Sequence, residues 1–153
     1  MRKSKLVQYA WDSKIMDVSI TYGKEKFSFN LNSEIIIDEN KINEEIKEQP
    51  SVYGFLGMLL VKLERILNDK KKEMEKTYSI AYIKFKTELD SATGRPTAHD
   101  LAKEKANNSN RYQKSVDAYH DAKQNHGTIN NCVKSFEQRH LLIQTLSANI
   151  RKG

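Results

Sequence analysis

Residues 52–67 read Val-Tyr-Gly-Phe-Leu-Gly-Met-Leu-Leu-Val-Lys-Leu-Glu-Arg-Ile-Leu, and this stretch decides the fold. Apolar side chains fall at Val52, Phe55, Leu56, Leu59, Leu60, Leu63, Ile66 and Leu67, in steps of three and four. The pattern continues through Met74, Tyr78, Ala81, Tyr82, Phe85 and Leu89. Steps of this kind over so long a run predict one long amphipathic helix, from Ser51 to about Leu89. Around Lys70–Glu73 the apolar seam thins, and the helix is expected to leave a tight core and continue as a solvated arm.

Outward from this helix the signals change. Ser91-Ala92-Thr93-Gly94-Arg95-Pro96 stops it: Gly94 suits a left-handed cap and Pro96 bars continuation. Thr97 is expected to cap the next helix, with Asp100 completing a capping-box variant. Leu101–Asn125 is helical but polar, with Leu101, Ala102, Tyr112, Val116, Tyr119 and Ala122 as its candidate buried line. Gly127-Thr128 reads as a kink or a break, followed by an amphipathic stretch through Ile129, Val133, Phe136, Ile143, Leu146 and Ile150. The simplest layout is a long helical hairpin, with Leu56–Leu67 beside Phe136–Ile150 and Lys84, Lys86 and Arg95 at its polar tip.

On the N-terminal side, Gln49-Pro50-Ser51 marks an expected boundary between residues 1–50 and a helical core of residues 51–153. Leu6–Met16 suggests a short helix. Val18–Tyr22 and Phe27–Leu31 alternate around a Gly23-Lys24 turn, which predicts a small β-hairpin. Glu34–Ile37 is a candidate third strand, and Ile42 and Ile46 suggest a brief helix before Pro50. The fold class expected is therefore mainly α, a long helical hairpin with returning helices plus a small N-terminal β-hairpin. One hairpin has little apolar surface with which to close a core, so a homo-oligomer is expected. Its interface is assigned to Leu56, Leu59, Leu63, Phe136, Ile143 and Leu146.

Composition limits the function classes. The 153 residues carry 26 basic and 20 acidic side chains, a formal charge of +6. Residues 1–50 hold 8 basic and 9 acidic groups, and residues 51–153 hold 18 and 11, so the positive charge sits on the C-terminal two-thirds. One cysteine, Cys132, excludes an intrachain disulfide framework and a Cys-based zinc cluster, and it reads as a buried structural thiol. His99, His120, His126 and His140 form no i,i+4 pair and no HExxH motif. Gly54-x-x-Gly57 lacks basic neighbours and reads as a close helix–helix contact. No nucleophile–base arrangement or paired carboxylates stand out, so neither an enzyme nor a cofactor is expected. The longest uncharged apolar run, Val52–Val61, is about half of a membrane span. The chain is expected to be cytoplasmic, in the host cytoplasm if phage-encoded, with no membrane partner.

The basic features carry the functional signal. Lys70-Lys71-Lys72 with Lys76 forms one cluster, and Tyr82-Ile83-Lys84-Phe85-Lys86 with Arg95 forms another. Basic residues interleaved with Tyr78, Tyr82 and Phe85 suit phosphate contact and base stacking on single strands. The plainer alternative is a solvated Lys-rich helix whose aromatics belong to its core. The run Ile83-Lys84-Phe85-Lys86-Thr87-Glu88-Leu89-Asp90-Ser91-Ala92-Thr93-Gly94-Arg95, within the layout from Val52 to Lys152, resembles the UvsY-type recombination mediators of T4-like phages. The resemblance implies a small helical ring-forming protein. Such a protein binds single-stranded DNA, helps strip off single-strand-binding protein and loads a RecA-like recombinase. It places Lys84 and Lys86 at the family's DNA-binding basic pair, with Arg95 corresponding to the loop. Lys76 and Tyr82 join them as candidate nucleic-acid contacts on the residues' own chemistry. The chain departs from the family pattern in its N-terminal hairpin region. The rival expectations are a helical scaffolding or adaptor protein, for instance virion-associated, and a helical RNA-binding subunit of a larger nucleoprotein complex.

Overall fold

A computed structural model describes residues 17–22, 24–91 and 93–152. The helix expected at Leu6–Met16 lies outside them. The elements in order are β1 (Asp17–Tyr22), β2 (Glu25–Asn30), α1 (Leu31–Ile35), a 3-10 turn (Glu39–Lys41), α2 (Ile42–Thr87), α3 (His99–Asn107) and α4 (Asn110–Lys152). The protein is mainly helical, with one small antiparallel hairpin and a long helix packed against another. It divides into two compact units, Met1–Leu60 with Gly127–Gly153, and Val61–His126.

In the first unit the hairpin pairs Val18 with Phe29 and Ile20 with Phe27. Alternation sends these four to one face. Val18 and Ile20 are buried there, and Phe27 sets its ring 5.9 Å from that of Phe55 on α2. The opposite face is polar: Ser28 donates to Ser19, and the Asn30 amide donates to Asp17 at 2.6 Å. A two-stranded sheet is marginal by itself, and here one apolar face is covered by α2.

The expected third strand at Glu34–Ile37 is absent, because Asn30 starts a helix. Its Oδ1 accepts from the Ser33 amide at 3.1 Å, an N-cap bond, and α1 takes the next five residues. The expected helix start at Ser51 is also corrected: α2 begins at Ile42 and runs through Pro50. Proline removes one helical N–H, leaving the Ile46 carbonyl without its usual donor. Ile46 and Pro50 are both exposed, so the freed carbonyl is on the side where water can reach it. Across the break, Gln49 is buried and its amide donates to the Phe136 carbonyl of α4 at 3.1 Å.

Around Gln49 lies the polar centre of this unit. Arg139, 7 % exposed, donates to Gln49 Oε1 and Glu45 Oε2, and its Nη2 lies 3.4 Å from the Ile36 carbonyl. The second oxygen of Glu45 accepts from the Asp38 amide at 3.2 Å. One guanidinium thereby ties α4 to α2 and to the connection before α2. Leu56, Leu59, Ile129, Cys132, Val133, Phe136 and Ile143 supply the surrounding apolar burial. Burial raises the Cys132 thiol above its ordinary pKa, as the structural reading of that residue requires.

Glycine at 127 does not break α4, which passes through it with helical backbone; the described glycine with positive φ is Gly94, at +65°. A Cβ added at Gly54 or Gly57 meets nothing within 4 Å, so the expected close helix contact is not made there.

In the second unit α2 buries Leu63 and, further on, only Thr77 reaches full burial, while Met74, Tyr78, Tyr82 and Phe85 are half-buried. The thinning seam was legible in advance. The returning segment divides at Asn108-Ser109, and this polar run ends α3 before α4 begins. Asn and Ser compete with the helical backbone for hydrogen bonds, which favours a break. Within the expected buried line, Ala102 and Ala122 are buried; Tyr112, Val116 and Tyr119 are half-buried, and Leu101 is exposed. Ala106 takes the place of Leu101, one helical turn on from Ala102.

Removing Arg139 alone strands Glu45 and Gln49 without their donor. Arg139→Met is expected to lower unfolding free energy by about 3–5 kcal/mol, measured by urea denaturation. Combining it with Glu45→Leu is expected to recover part of that loss. A loss below about 1 kcal/mol for the single variant contradicts the clamp.

Candidate nucleic-acid interface

The Val61–His126 unit holds 14 basic and 10 acidic residues, a net charge of +4. What matters is which of those cations the fold consumes.

The tip that follows α2 is a tied loop. Thr97 donates both its backbone N–H (3.0 Å) and its hydroxyl (2.9 Å) to the Glu88 carbonyl. Asp90 N–H donates to the Arg95 carbonyl, and Gly94 N–H to the Asp90 carbonyl, each at 2.7 Å. The positive φ of Gly94 permits this reversal, as its position before Pro96 indicated. Thr97 is therefore a staple and not the expected helix cap; α3 starts at His99 after Ala98, which makes no side-chain capping bond.

Lys86 belongs to the same staple. It is half-buried, and its Nζ donates to the Thr97 carbonyl at 2.8 Å. Lys84 differs: it is exposed, with its Nζ 5.6 Å from the Phe85 ring centroid. Lys105 of α3 approaches the same ring to 6.0 Å. Two ammonium groups approach one aromatic ring, each in a contact worth roughly 0.5–1 kcal/mol at exposed sites. Arg95 is exposed on the loop, and Lys76 is exposed on α2.

The aromatic row is largely engaged within the unit. Tyr78 stacks on Tyr82 at 6.4 Å and meets Tyr112 edge-on at 5.3 Å. Tyr82 lies edge-on to His99, and its hydroxyl is 2.6 Å from His99 Nδ1, with the phenol donating when that nitrogen is unprotonated. Tyr82 is half-buried, so its first structural role is to join α2 to α3.

A second basic feature lies further back along α2. Glu73, Lys76, Thr77 and Ile80 line a cleft of about 360 Å³ with Arg111, Lys114, Ser115 and Ala118 of α4. Both sets follow the helical i, i+3/i+4, i+7 spacing that puts side chains on one face. Glu73 is the one carboxylate in the lining, and Lys70 holds it at 2.7 Å. That hydrogen bond and charge, with a smaller pull from Arg111, keep the Glu73 carboxyl below its ordinary pKa.

Of the expected nucleic-acid residues, then, Lys84, Arg95 and Lys76 are exposed, and Lys86 and Tyr82 also serve the fold. Lys105, Arg111 and Lys114, which the sequence reading does not single out, are exposed cations of the same unit. The Arg111/Lys114 pair three apart on a helical face was the available signal. Of the expected interface residues, Leu56, Leu59, Leu63, Phe136 and Ile143 are buried within one chain, and Leu146 is half-buried. No group of three or more His, Cys, Asp or Glu able to hold a metal occurs among the described residues. No described helix is long and apolar enough to cross a membrane.

The two lysines of the basic pair should separate on substitution. Lys86→Ala is expected to destabilise by about 1.5–3 kcal/mol, the range for a hydrogen bond to a charged group. Lys84→Ala is expected to cost no more than about 1 kcal/mol, the worth of its exposed contact with the Phe85 ring. Thermal and urea unfolding check both, and equal losses contradict the assignment.

No protein-family model, curated protein or solved structure matches this chain, so its function is reasoned from the side chains themselves.

Proposed function

We propose that the chain binds single-stranded DNA and acts as a recombination mediator. It would gather the strand, help displace single-strand-binding protein and load a RecA-like recombinase, working as a homo-oligomer. The observation that carries the binding half is the exposure of Lys76, Lys84 and Arg95 on one unit of net charge +4. Cations that the fold does not consume remain available to displace counterions from a phosphate backbone. The recombination half is supported by the resemblance of Ile83–Arg95 to the UvsY-type mediators. That resemblance draws on the basic-x-basic pair Lys84/Lys86, the loop before Arg95 and the helices that follow it. Several copies in one assembly would multiply a few contacts each through effective concentration.

The homo-oligomer needs apolar surface. Phe55, Met58, Leu141 and Leu142 of the first unit are 49–66 % exposed, and they are among the apolar side chains available for contact between copies. The same exposure favours the second reading, a helical scaffolding or adaptor protein whose lysines provide solubility.

Fluorescence anisotropy of a labelled single-stranded oligonucleotide across a salt series separates the two. A mediator is expected to bind with log K falling linearly in log salt, with slope about −0.7 per phosphate neutralised. Lys84→Ala with Arg95→Ala should make that slope less negative by roughly 1.4, with the sedimentation coefficient unchanged. Duplex DNA should compete poorly, and RNA of equal length tests the RNA-binding alternative. Assembly without strand binding, even at low salt, supports the scaffold and overturns the mediator.

A further inference from the structure

We infer that the cleft between the α2 face Glu73–Ile80 and the α4 face Arg111–Ala118 is a phosphodiester-binding site for a single DNA strand, with Arg111, Lys114 and Lys76 as its contacts. The inference rests on the strand-binding reading and deepens it, since it adds a second point of grip away from the tip.

The composition of the cleft points to an anion. Three cations and one carboxylate line it, and Lys70 already engages the carboxylate. The concavity, about 360 Å³, lies in the range of ordinary ligand clefts. Its floor contributes little recognition. Thr77 and Ser115 are each 7 % exposed, and both spend their hydroxyl protons at home: Thr77 donates to the Glu73 carbonyl and Ser115 to the Tyr112 carbonyl, each at 2.6 Å. A ligand therefore finds few neutral donors on the floor and finds positive charge on the rim. That suits a phosphodiester, which needs compensation of charge, and it carries no base readout. Arg111 adds a planar fork that can bind two phosphate oxygens together, while Lys76 and Lys114 act as point charges.

The basic stripe of α2 continues past the cleft toward the tip. Lys76, Ile80 and Lys84 are spaced four apart on α2, so they follow one stripe. Lys84 lies about 12 Å further along the helix axis than Lys76. A strand leaving the cleft along that stripe meets Lys84, and Lys105 approaches the same Phe85 ring.

The test uses the full chain and a labelled single-stranded DNA oligonucleotide. Arg111→Gln with Lys114→Gln removes two cleft charges, and Lys134→Gln, on an exposed part of α4 in the other unit, is the control. Circular dichroism confirms that each variant is folded. The double cleft variant is expected to reduce the magnitude of the salt slope by roughly 1.4 and to weaken binding at every salt concentration. The control should leave the slope unchanged. A folded double variant with the parent's slope overturns the cleft while leaving strand binding intact. A parent protein that binds no single strand overturns both.

Discussion

One buried guanidinium organises the first unit. Two amphipathic helices that meet through Leu56, Leu59, Ile129, Val133, Phe136 and Ile143 have many near-equivalent registers, because aliphatic ridges can slide past one another. Arg139 allows far fewer. Its planar fork has to reach Gln49 and Glu45 together, and Gln49 in turn needs the Phe136 carbonyl. Burying a charge is costly, and here a carboxylate, an amide oxygen and a backbone carbonyl meet that cost. Among the described atoms the Arg139 Nε remains without a partner, a penalty of about 1–3 kcal/mol. The continuation of α2 through Pro50 follows from the same cluster, since Glu45 and Gln49 precede the proline while Leu56 and Leu59 follow it.

The second unit is held differently. Its apolar burial is thin, and the stabilising contacts are aromatic pairs among Tyr78, Tyr82, Tyr112 and His99, small buried alanines, and the loop staple of Thr97 and Lys86. The unit thereby turns some polar groups inward and leaves others outward. Lys86 is used inward. Lys76, Lys84, Arg95, Arg111 and Lys114 remain exposed, a positive surplus that the Glu73 carboxylate offsets only in part. The proposed strand binding gives that surplus a chemical purpose.

Much of this was legible in the residues. The three- and four-residue steps from Val52 gave the long helix, and the alternation of Val18–Tyr22 and Phe27–Leu31 gave the hairpin, whose second strand is Glu25–Asn30 with Leu31 passing into α1. Gly94 before Pro96 gave the reversal. Where local rules failed, a contact distant in sequence won. Pro50 suggested a boundary, yet Gln49 and Arg139, 90 positions apart, hold the helix across it. Thr97 had the form of a cap, yet its hydroxyl is taken by Glu88. Gly127 looked like a breaker, while the break falls at Asn108-Ser109, where the run of amide and hydroxyl side chains was overlooked. The candidate site was legible in its charge and less so in its division of labour. Sequence alone does not distinguish Lys84 from Lys86, nor does it bring Arg111 and Lys114 to Lys76.

The most direct measurement is lysine acetylation read by mass spectrometry, with and without a saturating single-stranded oligonucleotide. Strand binding by the second unit predicts protection of Lys76, Lys84, Lys105 and Lys114, with Lys47 and Lys134 of the first unit labelled as before. Protection confined to Lys47 and Lys134, or an equal and general decrease across all six, contradicts it.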